Sequence, residues 1–206
     1  MLNYAPLPHY PSTLRNRDAI IKVLGLYLPA CNHILETATG SGEHITYFGA
    51  KFPNIKWHPS DKSVELFWAI KKRIASSNNI FPPVELDLIK CDKFKMNYKC
   101  DGILSINMVH IAPWDASVGL FKLAKKNLRL GGFIFFYGPF TICGKHTSES
   151  NKRFDESLKK RSNSWGVRGI EDLEKLGKSY GFFLNKLHEM PTNNKVLIFK
   201  KVRIPK

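Results

Sequence analysis

Glu36-Thr37-Ala38-Thr39-Gly40-Ser41-Gly42-Glu43 decides the reading of this chain. The apolar run His33-Ile34-Leu35 before it reads as a buried strand over 33–38, and residues 43–51 after it read as a helix. A strand, a turn of glycines and small residues, and a helix form a unit that lets backbone approach a ligand, because Gly40 and Gly42 turn tightly and carry no Cβ. A dinucleotide site needs G-x-G-x-x-G, with the pyrophosphate on the helix N-terminus. Here the third glycine is missing and a carboxylate, Glu36, closes the strand. An ordinary strand-to-helix turn is the competing reading.

Composition narrows the class. The chain has 206 residues and is 43% hydrophobic, enough for one domain with a packed core. We expect a single domain over 1–206 with a cap at about 141–169. Residues 1–11 lack a basic start followed by an apolar stretch, so no signal peptide is expected. No apolar run approaches the ~20 residues of a membrane span, and the expected location is cytoplasmic. The four cysteines, at 31, 91, 100 and 143, form no C-x-x-C and pair with no histidine at zinc spacing, so no metal is expected. The net charge of +15 raises the possibility of a polyanionic partner. However, lysine outnumbers arginine 24 to 8 and is spread along the whole chain. Compositional drift, giving salt-sensitive nonspecific binding to nucleic acid, is the simpler reading.

Further along, residues 15–28 read as a helix capped by Ser12 or Thr13 and stopped by Pro29. Strands are expected at 55–59, 83–88, 101–107 and 133–137, with helices at 64–75 and 115–130, the latter closed by Gly131-Gly132. This alternation predicts an α/β fold with a parallel sheet covered on both faces. The tail changes pattern. Residues 141–169 are polar, with one helix over 151–161. A helix at 170–180 and strands at 182–190 and 196–202, joined through Pro191-Thr192-Asn193-Asn194-Lys195, complete the chain. Five parallel units followed by an antiparallel pair make a Rossmann-like, seven-stranded, mostly parallel sheet with a C-terminal antiparallel hairpin.

E-x-A-x-G-x-G resembles the first motif of class I S-adenosylmethionine (SAM) methyltransferases. That ligand carries a sulfonium and an ammonium and no phosphate, so an acid beside the turn is compatible with it. Ligands on such sheets sit at the carboxyl ends of the strands, where Glu36, Asp61, Asp87, Asn107 and Tyr137 should converge. Asp61 either accepts both ribose hydroxyls or caps the following helix. Asp87 either accepts from an adenine amino group or caps a turn. Asn107-Met108-Val109-His110 lies where methyl transfer occurs in this architecture, and it is not the (Asp/Asn)-Pro-Pro-(Tyr/Phe) signature used on exocyclic base amines. His110 is either a general base or a packed histidine.

Several further blocks occur in a familiar order. They are Arg15-Asn16-Arg17, His44 after the turn, Trp57-His58-Pro59-Ser60-Asp61, Ile106-Asn107-Met108-Val109-His110-Ile111-Ala112-Pro113-Trp114 and Tyr137-Gly138-Pro139-Phe140. Ser150-Asn151 with Phe154-Asp155, Trp165-Gly166-Val167-Arg168, and Glu189-Met190-Pro191 with Asn193-Asn194 follow. Together they resemble the family called domain of unknown function 938, whose animal members are named methyltransferase-like protein 26, from about Arg15 to the C-terminus. The chain departs from that family's pattern at Arg17, where lysine is more usual, at Thr37 and Thr39 beside the turn, and at Gly169, where an acid is common. The resemblance implies SAM as cofactor, held by Arg15, Asn16, Glu36, Ala38, Gly40, Gly42, Asp61, Asp87, Asn107 and Met108. Arg15 and Asn16 would precede the first helix and fold over the cofactor, Arg15 pairing the methionine carboxylate. Asn107, His110 and Tyr137 would serve the transfer. Trp114, His146, Asn151, Asp155, Trp165 and Arg168 would bind the acceptor under the cap, with Arg168 as the anion clamp. Phe154 is expected in the core. The activity implied is methyl transfer to a small polar molecule. The alternatives are an RNA or nucleotide methyltransferase and a non-catalytic SAM-binding protein.

Overall fold

A computed structural model describes residues 6–203; residues 1–5 of the N-terminal stretch and 204–206 of the tail lie outside the described residues. The chain opens with α1 (Pro11–Leu24), β1 (His33–Thr37), α2 (Glu43–Lys51), β2 (Lys56–Asp61), α3 (Phe67–Arg73), β3 (Val84–Glu85) and a 3-10 turn at Leu88–Lys93. It continues through β4 (Cys100–Ile106), a 3-10 turn at Met108–His110, α4 (Trp114–Asn127), β5 (Leu128–Gly138), β6 (Phe140–Ile142), β7 (Lys145–His146), α5 (Glu149–Arg161) and β8 (Arg168–Gly169). It ends with α6 (Ile170–Tyr180), β9 (Phe182–Met190), a 3-10 turn at Pro191–Asn193 and β10 (Asn194–Lys201).

The main sheet has seven strands in the order β3-β2-β1-β4-β5-β10-β9. The first five are parallel, and β10 lies antiparallel to both β5 and β9. This is the expected α/β architecture. The order reverses between β1 and β4, which opens a crevice at their carboxyl ends. Alternate side chains divide the core between the faces. Leu35, Ile103, Phe121, Phe136, Phe182 and Phe199 belong to one apolar cluster. Ile34, Phe48, Trp57, Leu104, Phe135 and Ile198 belong to the other.

Several boundaries differ from expectation. Helix α1 starts at Pro11, whose fixed φ and missing N–H suit the first helical position, so Ser12 and Thr13 fall inside the first turn. It ends at Gly25, before Pro29. Helix α3 begins only at Phe67, and β3 is two residues long, which leaves Asp87 outside the strand. Gly131 and Gly132 do not close a helix. α4 ends at Asn127, whose side chain accepts the Met96 N–H and donates to the Leu123 carbonyl. The glycines instead sit in β5, where the register with β4 shifts between Cys100 and Gly102. The small sheet β7-β6-β8 in the tail was not expected at all. Its strands are two or three residues long, too short to leave a period in the sequence.

Candidate functional site

The glycine-rich turn follows from how the ends of β1 and β2 are knit together. The Thr39 N–H donates to the Ser60 carbonyl at 3.0 Å, and the Ser60 hydroxyl donates to the Glu36 carbonyl at 2.7 Å. Between these ties the backbone enters the left-handed region at Ala38, Gly40 and Gly42. A Cβ on Gly40 would meet only the Tyr10 ring, at 4.0 Å, so the space above the turn is open on the cleft side. Asp61 pins this turn. One carboxylate oxygen accepts the Gly40 N–H at 2.9 Å and the other accepts the Ser63 N–H at 3.0 Å. Each oxygen has a second acceptor site. Asp61 does not cap α3, whose N-cap is Leu66. Asp87 does cap, accepting the Ile89 N–H at 2.9 Å and opening the Leu88–Lys93 turn. At the end of β4, Asn107 adopts φ 58°, with its N–H donating to the Tyr137 carbonyl.

These elements enclose a cleft of about 550 Å³. Ala38, Gly40, Asp61, Asp87, Asn107 and Met108, all expected in a cofactor site, line it. Its apolar surface comes from Leu86, Leu88, Ile89, Met108, Ile111, Ala112 and Pro113. Tyr10, Ser12, Thr13, Glu43, His44, Lys62 and Arg161 also line it, and none of them was expected as a site residue. For Glu43 a signal existed: an acid at the first helical position just past the turn. Its carboxylate gathers His9 Nδ1 at 2.6 Å, the Tyr10 N–H at 2.9 Å and the Ser41 hydroxyl at 2.9 Å, while Arg73 donates to the carbonyls of Ser41 and Pro8. Burial alone would raise the Glu43 pKa, yet these bonds and Arg73 hold it below the usual carboxylate range. The segment before α1 is thereby strapped across the glycine-rich turn.

The remaining expected cofactor residues lie in the walls. Gly42 is the N-cap of α2, and a Cβ there would press on Ile70 at 3.1 Å. Glu36 is 2% exposed, with Oε2 unpartnered, and burial pushes its pKa up to about 8. Arg15 and Asn16 do not precede the first helix; they lie within it. Arg15 is exposed outside the cleft lining. Asn16 bonds His44 at 2.8 Å and the Tyr137 side chain, tying α1 to α2 and β5. Burial drives the His44 pKa down to about 4. Tyr137 is 3% exposed, and its hydroxyl meets Asn16 and Asn194 rather than the cleft.

His110 is fully buried with neither ring nitrogen partnered, packed edge-on to Phe140 and so close to Gly138 that a Cβ there would overlap it. Burial, then Arg168, drive its pKa down to about 3. It is not in the cleft lining, and the packed reading describes its position.

The expected acceptor residues are not brought to this cleft. Arg168 donates to the carbonyls of Val109, Ala112 and Ser164, so its guanidinium closes a loop instead of facing the cleft as an anion clamp. With Trp114 it borders a separate surface groove beside Asp172 and Lys175. Asn151 is buried and holds Thr147 and the Asn193 carbonyl. Asp155 accepts the Val167 N–H at 2.7 Å and meets Lys159 at 2.7 Å and His146 at 3.4 Å. Trp165 carries the Arg161 guanidinium 4.9 Å from its ring centre. Phe154 is 39% exposed and not part of the core. Among the described residues, no group of three or more His, Cys, Asp or Glu is placed to hold a metal ion, and no helix is long and apolar enough to cross a membrane.

The architecture recurs in solved methyltransferase structures. An O-methyltransferase family protein from Burkholderia thailandensis aligns with TM-score 0.79 and 13% identity, over 94% of this chain and 57% of that one. Human N-acetylserotonin methyltransferase in complex with SAM aligns with TM-score 0.76 and 15% identity, over 93% and 53%. CalO1, a methyltransferase in calicheamicin biosynthesis in its SAH-bound form, aligns with TM-score 0.72 and 13% identity, over 93% and 55%. This chain therefore spans little more than half the length of these structures, and the likeness is one of fold: Rossmann-like, as in the methyltransferases. A family model described as protein of unknown function (DUF938) matches residues 8–201, nearly the whole chain, and the protein belongs to that family.

Proposed function

We propose that this protein is a SAM-dependent methyltransferase acting on a small molecule. The observation that carries the reading is the donor and acceptor set around the open glycine-rich turn. Asp61 has one acceptor site left on each oxygen, suited to two ribose hydroxyls. The second oxygen of Asp87 suits an adenine amino group. Leu86, Leu88, Met108 and Ala112 supply apolar walls for a flat ring. A Cβ on Gly40 would occupy the space such a ligand needs. When bound, SAM supplies an electrophilic methyl group on a sulfonium sulfur. Ala38, Gly40, Asp61, Asp87 and Met108 would hold it, and the acceptor would take the methyl as SAM became S-adenosylhomocysteine. The chain's part is to align the partners and exclude water. Asn107, fixed in the left-handed region at the end of β4, is the residue we assign to orienting the nucleophile. His110, packed outside the cleft lining, has no base role in this reading.

A second reading, an RNA or nucleotide acceptor, draws on Lys62 in the cleft wall and on Lys71 in the last turn of α3. Incubation with methyl-labelled SAM and a metabolite extract separates the two. We expect label in nuclease-resistant small molecules, and less of it with Asn107→Ala. Label entering RNA, and lost on charge reversal of Lys62 and Lys71, would select the second reading.

A further inference from the structure

We infer that the acceptor carries an anionic group, a carboxylate or a phosphate monoester, and that Arg161 holds it. The inference rests on the methyltransferase reading and adds the substrate's charge. Arg161 is the last residue of α5 and the one part of residues 141–169 that lines the cleft. No carboxylate of the described residues lies within ion-pair distance of it. Its guanidinium rests on the Trp165 face, an arrangement that fixes the plane and leaves the edge N–H donors unused by the ring. The cleft's carboxylates have other partners or places: Glu43 is engaged by His9, Tyr10 and Ser41, while Asp61 ends β2 and Asp87 opens the turn after β3. Ile111 and Ile89, which line the same cleft, are 43% and 47% exposed. A cleft with half-open apolar walls and one planar cation suits a small molecule with an apolar body and an anionic head. Arg168 cannot take this part, because its donors close the 109–112 loop.

Four probes test this on protein saturated with S-adenosylhomocysteine (SAH): benzoate, phenyl phosphate, benzyl alcohol and benzylamine, each titrated at millimolar concentration while the melting temperature is followed. We expect one or both anions to stabilise the protein beyond the neutral and cationic probes, and their relative shifts separate carboxylate from phosphate. Arg161→Gln and Arg161→Glu should weaken the anion about fivefold or more, with Arg161→Lys intermediate, and should leave SAH binding unchanged. Because Arg161 is exposed, these variants should fold. The inference is overturned if no anion outperforms benzyl alcohol, if anion binding persists in Arg161→Glu, or if Arg161→Glu weakens SAH, which would assign the guanidinium to the cofactor carboxylate. Absence of any SAH effect on the wild type would instead overturn the methyltransferase reading beneath it.

Discussion

At the carboxyl ends of β1, β2 and β4, polar groups keep capacity toward the cleft, as Asp61 does with one hydrogen bond on each oxygen. In residues 141–169, by contrast, Asn151, Asp155 and Arg168 have used theirs inside the protein. Asp61 and Asp155 are the sharpest pair. Both are aspartates that accept a backbone N–H, from Gly40 and Val167 respectively. Asp61 lines the cleft, whereas Asp155 is 4% exposed and already meets Lys159 and His146. Residue type alone therefore does not separate a binding carboxylate from a structural one; what separates them is remaining acceptor capacity and access.

Four substitutions sharpen or break this contrast. The largest effect should come from Gly119→Ala. A Cβ there would overlap the Leu88 carbonyl oxygen, which cannot yield as a side chain would. Pushing α4 off that turn should cost about 3 kcal/mol, lowering the melting temperature by roughly 10 °C, and should distort the Asp87 wall enough to reduce SAH binding. Asp155→Ala should destabilise by about 2 kcal/mol, since it strands the part-buried Val167 N–H, while leaving SAH affinity intact. Burial alone would raise the Asp155 pKa, but the Lys159 and Val167 bonds hold it below the usual carboxylate range. Its contribution is thus fully present above the unfolded value, near 3.9, and is lost as pH falls through the folded one. Asp61→Ala should do the reverse: little change in stability and about tenfold weaker SAH binding, equivalent to roughly 1.4 kcal/mol. Equal effects of the two aspartate changes on SAH affinity would remove the contrast.

Glu36→Gln should have the smallest effect, and it has a definite sign. With the folded pKa raised to about 8, the native state binds more protons than the unfolded state above the ordinary carboxylate value. Wild-type stability should therefore fall as pH rises from about 4.5 to 8. His110, with its pKa driven down to about 3, acts oppositely and only on the acid side, below its unfolded value near 6.5. Between pH 6.5 and 8 the Glu36 slope should stand alone. Glu36→Gln should flatten it, raising the melting temperature at pH 8 relative to the wild type. An unchanged slope would mean that Glu36 is already ionised in the folded protein.

What was legible in the sequence follows from the same physics. Strand-and-helix alternation, with helix bounds right to the residue at α2 and α6, reflects strong local periodicity and capping glycines such as Gly181. The residues around Ala38–Gly42, Asp61, Asp87 and Asn107 were legible because strand ends on a parallel sheet converge by topology. The partners of Arg168 and Asn151 were not, since their bonds reach elements far along the chain, such as the Ala112 and Asn193 carbonyls. Arg161 was missed because a basic residue in the last turn of an amphipathic helix looks like an ordinary solvated charge. Tyr10 was missed because its place over the glycine-rich turn depends on Glu43 and Arg73, not on any local pattern.

The most direct test of the central claim is calorimetric titration of the folded protein with SAH, beside Gly40→Val. The wild type should bind one equivalent at micromolar to submillimolar affinity. Gly40→Val should bind none, because the branched side chain fills the open space above the turn and is strained at φ 59°. A folded wild type that releases or absorbs no heat with millimolar SAH, and gains no thermal stability from it, would contradict the assignment of this cleft to the cofactor.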